Sequence, residues 1–150
     1  MTDSPILTIR AVDPRDHAEW RPLWEAYLAF YGTSVPDDVM ATTWSRLIDP
    51  EGPVNGFVAV GHAGDLVGLV HYIFHASTWT VGPYCYLQDL FVHHASRGGG
   101  IGRALIERVY GAADSAGASQ VYWLTQEHNV TARRLYDAIA SKTDFIKYRR

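Results

Sequence analysis

The chain has 150 residues, 47% of them hydrophobic and 19% charged, with a formal net charge of −3. That length fits one domain with a real core, and the mildly acidic balance argues against a general binder of nucleic acid or anionic membrane. A lone cysteine, Cys85, excludes an intrachain disulfide and a thiolate metal cluster. The first ten residues have no basic segment and no long apolar run, so neither a secretory signal nor a membrane span is expected, and a reducing cytoplasm is the simplest home.

Ile6 to Val12 alternates weakly and predicts a first strand. Asp13-Pro14 opens a helical region, Asp as the cap and Pro at the first helical position. Trp20, Leu23, Trp24, Tyr27, Leu28 and Tyr31 recur at helical spacing. Pro22 interrupts them, which predicts a short turn and then a main helix from Pro22 to Tyr31. Pro36 to Ile48 predicts a second helix, ended by Asp49-Pro50.

Gly56 to Val60 and Leu66 to His75 read as paired strands around the turn His62-Ala63-Gly64-Asp65. Tyr84 to Val92 is a fourth strand, nearly all apolar except Gln88 and Asp89. Gly100 to Ala116 reads as a helix with Ile101, Leu105, Val109 and Ala112 in one stripe, and Gly117 is placed to end it. Gln120 to Leu124 predicts a fifth strand, Asn129 to Ala140 a helix, and Asp144 to Tyr148 a last strand. The strand–helix–strand unit over residues 84–125 implies parallel pairing there and antiparallel pairing before it.

Chemistry concentrates where the fourth strand runs into Arg97-Gly98-Gly99-Gly100-Ile101-Gly102 and then a helix. Helix N-termini leave amides unpaired and carry partial positive charge, which suits a diphosphate, and glycines let the backbone come close. A Walker loop is excluded because the chain has no Gly-Lys pair. A Rossmann fingerprint fails because its last glycine would fall on Arg103 or Leu105. The pattern Arg/Gln-x-x-Gly-x-Gly/Ala is matched by Arg97, Gly100 and Gly102, and it resembles the acyl-CoA pyrophosphate loop of GNAT acetyltransferases. About 27 residues after Gly102, Asn129-Val130-Thr131-Ala132-Arg133-Arg134-Leu135-Tyr136 is similar to that family's Asn-x-x-Ala-x-x-x-Tyr segment. Two motifs in order and at that separation are far more specific than either alone.

The resemblance covers residues 56–140 and implies a GNAT fold. That fold is α/β (α+β): a single mixed, mostly antiparallel sheet of six to seven strands with about four helices on both faces, splayed at the fourth and fifth strands. It implies acetyl-CoA as co-substrate, entering that splay. A bulge in the fourth strand would free backbone groups of Leu90, Phe91 and Val92 for the pantetheine arm. Amides from Gly98, Gly99, Gly100, Ile101, Gly102 and Arg103 would hold the pyrophosphate, with Arg97, Asn129 and Ala132 completing the cofactor site. A freed amide near Leu90 or Phe91 would polarise the acetyl carbonyl. Tyr136 is the candidate general acid for the departing thiolate, and an amine attacks directly.

Within the superfamily, Tyr86-Leu87-Gln88-Asp89-Leu90-Phe91-Val92 resembles the Tyr-Leu-Glu-Asp-Phe-Phe-Val strand of small polyamine (diamine) acetyltransferases, with Tyr72-Ile73-Phe74 and Trp79 before it. Their glutamate is Gln88 here. A neutral amide can orient an amine or a water but takes no proton. Proton removal then falls to a water chain ending at Asp89, a histidine or bulk solvent.

Trp24, Tyr27 and Tyr31 are candidates for the acceptor wall, although a core stripe explains Trp24 and Tyr27 equally well. His71 and His75 share a strand face, but four residues at ~3.3 Å put them ~13 Å apart, too far to share an ion, so no metal is expected. His93-His94 reads as a solvated turn. The expected partner is a small-molecule amine, possible alternatives being a protein or peptide amine or a silent acyl-CoA sensor. One strand after the last helix invites completion of the sheet edge by a homodimer partner.

Overall fold

The computed structural model describes residues 7–150, so Ile6, the start of the expected first strand, lies outside the described residues. In chain order come β1 (Thr8–Ala11), a 3-10 turn (Pro14–Asp16), α1 (His17–Phe30), α2 (Asp37–Leu47), β2 (Val54–Val60), β3 (Leu66–His75) and β4 (Tyr84–Val92). A second 3-10 turn (His94–Ser96), α3 (Ile101–Ser115), β5 (Gln120–Tyr122) and α4 (Val130–Ile139) follow. The sheet order is β1-β2-β3-β4-β5, antiparallel from β1 to β4 and parallel between β4 and β5.

The mixed, mostly antiparallel sheet with four helices is therefore the expected one, with five strands among the described residues rather than six to seven. Residues 144–148 form no strand. Phe145, Ile146 and Tyr148 are 81%, 75% and 88% exposed, so within one chain this segment finds neither a pairing edge nor a core.

Pro22 also acts differently from expectation, because α1 runs through it without a break. Proline removes the N–H that would reach back four residues, at a cost of about 3 kcal/mol or more. Against this stands the burial of Trp20, Leu23, Trp24 and Leu28 on one helix face, each worth roughly 1.5–3 kcal/mol. Packing prevails. The 3-10 turn that leads into α1 is well specified: the Asp13 carboxylate accepts from the Arg15 amide, and the Asp13 amide donates to Asp16. Arg10 of β1 then holds the buried Asp16 with two bonds, of 2.7 and 2.8 Å.

Two apolar layers sandwich the sheet. On one face Trp20, Leu23, Trp24 and Leu28 of α1 and Met40 and Leu47 of α2 cover Leu69 and Phe91. On the other, Leu105, Ile106, Val109 and Ala113 of α3 cover Val70, Tyr72, Cys85 and Leu87, with Leu135, Tyr136 and Ile139 of α4 at the margin. The α3 stripe is thus broader than expected. Ile101 and Ala112 are only half-buried, and Ile106 and Ala113 join the core.

Candidate active site

The opening of the site is built into β4. His71 of β3 faces Asp89 and Tyr72 faces Leu87, so Gln88 is the extra residue of a β-bulge. Ahead of it Cys85 and Leu87 point into the α3 layer, and beyond it Leu90 and Val92 do. The inserted residue reverses the alternation and turns Asp89 and Phe91 towards α1. β5 pairs with β4 only at Tyr84, Cys85 and Tyr86, so from Leu87 to Val92 the far side of β4 has no strand beside it.

The alternation also says which backbone groups face that gap. The His93 amide donates to Val67 of the β3 side. Two-residue periodicity then turns the Phe91 and Asp89 backbones to β3, and those of Leu90 and Val92 to the opening. Of the two candidate polarising amides, Leu90 is the one so directed. The Val92 carbonyl accepts from Arg97 Nε at 2.9 Å, and the Arg97 guanidinium lies 5.5 and 5.7 Å from the Phe91 and Phe30 ring centres.

Gly98 and Gly100 have φ of +85° and +79°, which a residue with a β-carbon adopts only with strain, and no atom lies within 4 Å of where that carbon would be. Space over the loop is open. The first helical bond of α3 runs from the Ala104 amide to the Gly100 carbonyl, leaving the amides of Ile101, Gly102 and Arg103 without helical partners. This fits a diphosphate. The Arg103 side chain is paired with Glu107 at 2.8 Å, away from that role. Asn129 occupies the N-cap position of α4 without forming a side-chain cap bond, which leaves its amide uncommitted.

On the α1 side, the buried His71 accepts from Trp20 Nε1 at 3.1 Å and bonds Asp89 Oδ2 through Nδ1 at 3.1 Å. Burial, with the adjacent Asp89 carboxylate adding to it, pushes the Tyr27 phenol far above its ordinary value. Tyr31 is raised by the same two causes in the same order. Tyr136 of α4 is raised by burial first and by Tyr31 second; it packs with the α3 layer, whereas Tyr27 packs with the α1 layer. The Tyr136 ring packs against Trp123 at 5.4 Å, edge to face.

The structure thus puts Gln88 at the bulge of β4, Asp89 and Tyr27 on the α1 side of the sheet, Tyr136 on the α3 side, and the glycines directly before α3. Trp24 is a core residue, 8% exposed, stacked beneath Tyr27 at 4.8 Å, and forms the underside of the wall rather than its surface. Its buried indole N–H has no partner among the described residues. The Trp20–His71 link escaped the sequence, its only signal being a histidine within an otherwise apolar strand. His75 instead bonds Tyr122 at 2.8 Å. Among the described residues no group of three or more His, Cys, Asp or Glu could hold a metal ion, and no helix is long and apolar enough to cross a membrane.

Residues 20–139 match the family model described as the Acetyltransferase (GNAT) family. This chain is a member of the GNAT acetyltransferase family. As such it is an acetyl-CoA-dependent acyltransferase. It is 39% identical to D-amino-acid N-acetyltransferase HPA3 of Saccharomyces cerevisiae over 145 residues, 96% of this chain and 90% of that one. It is 33% identical to the thialysine N-epsilon-acetyltransferase of Mus musculus over 98 residues, 65% of this chain but only 53% of that protein. Among solved structures, the ribosomal-protein-alanine N-acetyltransferase of Brucella melitensis biovar Abortus 2308 superposes with a TM-score of 0.78 at 26% identity, covering 95% of this chain and 96% of that one. The aminoglycoside N-acetyltransferase AAC(6')-Iy in complex with CoA shares the fold, with a TM-score of 0.85 at 18% identity, covering 100% and 97%.

Proposed function

We propose that this GNAT acetyltransferase transfers acetyl directly from acetyl-CoA to the primary amine of a small molecule of amino-acid or diamine size. The observation that carries the reading is the gap beside β4, with Asp89 and Tyr27 on the α1 side of the sheet and Tyr136 on the α3 side. The extensive similarity to a D-amino-acid N-acetyltransferase, and the partial similarity to a thialysine one, support a small acceptor.

In this reading the unpaired amides at the start of α3 hold the diphosphate. Arg97 braces the loop through Nε and keeps its terminal nitrogens for phosphate. The Leu90 amide donates to the acetyl oxygen as negative charge develops there. Tyr136, whose raised pKa keeps its hydroxyl protonated at neutral pH, gives a proton to the departing thiolate. The amine attacks from the α1 side without an acyl-enzyme. A cytoplasmic location fits the single buried cysteine.

A homodimer is part of the proposal. Among the described residues β5 is an edge strand, and Phe145, Ile146 and Tyr148 are exposed; a second copy would cover both.

The test is a thiol-release screen with D- and L-amino acids, thialysine, diamines and short peptides, run beside an acetyl-CoA titration. Release with one or more small amines supports the reading. Release with peptides alone would assign a protein acceptor, and tight acetyl-CoA binding without release under any amine would indicate a silent sensor.

A further inference from the structure

The amine that attacks arrives as an ammonium ion, since an alkylamine titrates near ~10.4, and Gln88 cannot take its proton. The bulge that exposes Gln88 also carries Asp89 to the α1 face of the gap, with its side chain 13% exposed. Among the described residues no lysine or arginine pairs with it: its one ion-pair partner is His71 of β3, and it acts electrostatically on the phenols of Tyr27 and Tyr31 of α1 and Tyr86 of β4. A carboxylate accepts at about four lone-pair sites, and His71 uses one of them.

His71 looks at first like a base paired with an acid, but its partners exclude that role. An indole nitrogen only donates, so Trp20 Nε1 fixes His71 Nε2 as an acceptor. The ring proton therefore sits on Nδ1 and is donated to Asp89. Protonating Nε2 would break the Trp20 bond inside a fully buried aromatic layer, where Trp20 is 0% exposed and packs on Trp24 and Trp44. His71 is thus held with its Nδ1–H aimed at the carboxylate.

We propose that Asp89 receives the acceptor as an ammonium ion and takes its proton, and that His71, locked by Trp20, is the positioning residue that holds Asp89 in the gap. This rests on the small-amine reading given above. An ammonium N–H bond breaks and its proton moves to the carboxylate. The freed amine forms a C–N bond to the thioester carbonyl carbon, the C–S bond breaks, and the second nitrogen proton is lost. Sulfur gains one proton from Tyr136, which recovers it from solvent, and Asp89 returns its own to solvent. Ammonium and acetyl-CoA thus give amide, CoA thiol and one proton.

The experiment measures kcat/KM for thiol release with the best small amine from about pH 6.5 to about pH 9.5 in wild type, Asp89→Asn, His71→Gln and His71→Asn. Asp89→Asn keeps the shape and should lose on the order of 10²-fold at neutral pH with acetyl-CoA affinity unchanged. That deficit should shrink by up to about tenfold per pH unit as solvent supplies free amine. His71→Gln imitates only Nε2 and should show a smaller loss with the same narrowing. His71→Asn imitates the Nδ1 donor and should recover most of the activity. A loss equal at every pH, or Asp89→Asn within about twofold of wild type at neutral pH, overturns the proposal while leaving small-amine acetylation intact. If Asp89→Asn does not fold, the two His71 variants decide, and equal activity in both overturns it. A wild type inactive on every small amine contradicts both readings.

Discussion

Gly102 in the first turn of α3 faces Leu135 in α4: a β-carbon built on Gly102 would lie 3.7 Å from Leu135 Cδ2, an ordinary van der Waals separation. A β-carbon fits there without displacing either helix, which helps to separate ligand effects from folding effects. Gly102→Asp should therefore leave the melting temperature little changed while weakening acetyl-CoA at least tenfold, because it puts a negative charge in the first turn of α3, beside the free amides where the diphosphate would sit. Isothermal titration with acetyl-CoA checks this, and unchanged affinity in the folded variant removes the loop from the cofactor site. Gly100 is the poorer probe, since its φ of +79° adds strain to any substitution.

Tyr136→Phe keeps the ring against Trp123 and removes the proton. Turnover should fall about 10²-fold, at the low end for general-acid catalysis, with acetyl-CoA affinity unaltered. The sign of the pH dependence follows from the raised pKa: the hydroxyl stays protonated past its ordinary value near ~10. Wild-type kcat should accordingly show no alkaline fall below about pH 10. Turnover within about twofold of wild type in the phenylalanine variant would remove Tyr136 from the chemistry.

Gln88 is exposed at the bulge and unpaired on β3. Gln88→Glu places a second negative charge beside Asp89. It should raise kcat/KM for a short diamine relative to a neutral-tailed amine, most visibly near neutral pH, where the second ammonium is fully charged. Parallel rates on the two amines would decide it. No diamine-specific gain at any pH means that position 88 does not face the acceptor.

Asp16 is buried and takes two bonds from Arg10, whose guanidinium is the largest influence holding its carboxyl below the ordinary carboxylate range. A depressed folded-state pKa stabilises the protein above the unfolded value of 3.8, and that contribution is lost as pH falls through the folded value. Asp16→Asn should cost about 1–3 kcal/mol at neutral pH and progressively less below about pH 4. Denaturant unfolding of both proteins at the two pH values measures the difference.

Much of the scaffold was legible because its signals are local. β3 and β4 begin and end where alternation and turn residues put them, and the glycine loop falls at the start of α3. What escaped depends on distant partners. Pro22 reads as a breaker until the burial of Trp20 and Trp24 is counted, and Asp144 to Tyr148 reads as a strand although no edge receives it. Gln88 was recognisable as a departure from a family pattern, but its place as the bulged residue appears only from the register with β3. The Trp20–His71–Asp89 chain joins α1, β3 and β4, and no spacing along one element encodes it.

Deleting residues 144–150 removes Phe145, Ile146 and Tyr148 from the proposed dimer surface. Light scattering should give the intact protein twice the 16.8 kDa chain mass and the shortened one a single chain mass. A monomeric intact protein would contradict the dimer and leave the site untouched.

Direct transfer to a small amine is tested most directly by initial rates of thiol release over a matrix of acetyl-CoA and amine concentrations, with the product weighed by mass spectrometry. Attack within a ternary complex predicts double-reciprocal lines that intersect, and one N-acetylated amine formed per thiol released. Parallel lines, which signal an acyl-enzyme, or thiol release that proceeds without any amine product, would contradict it.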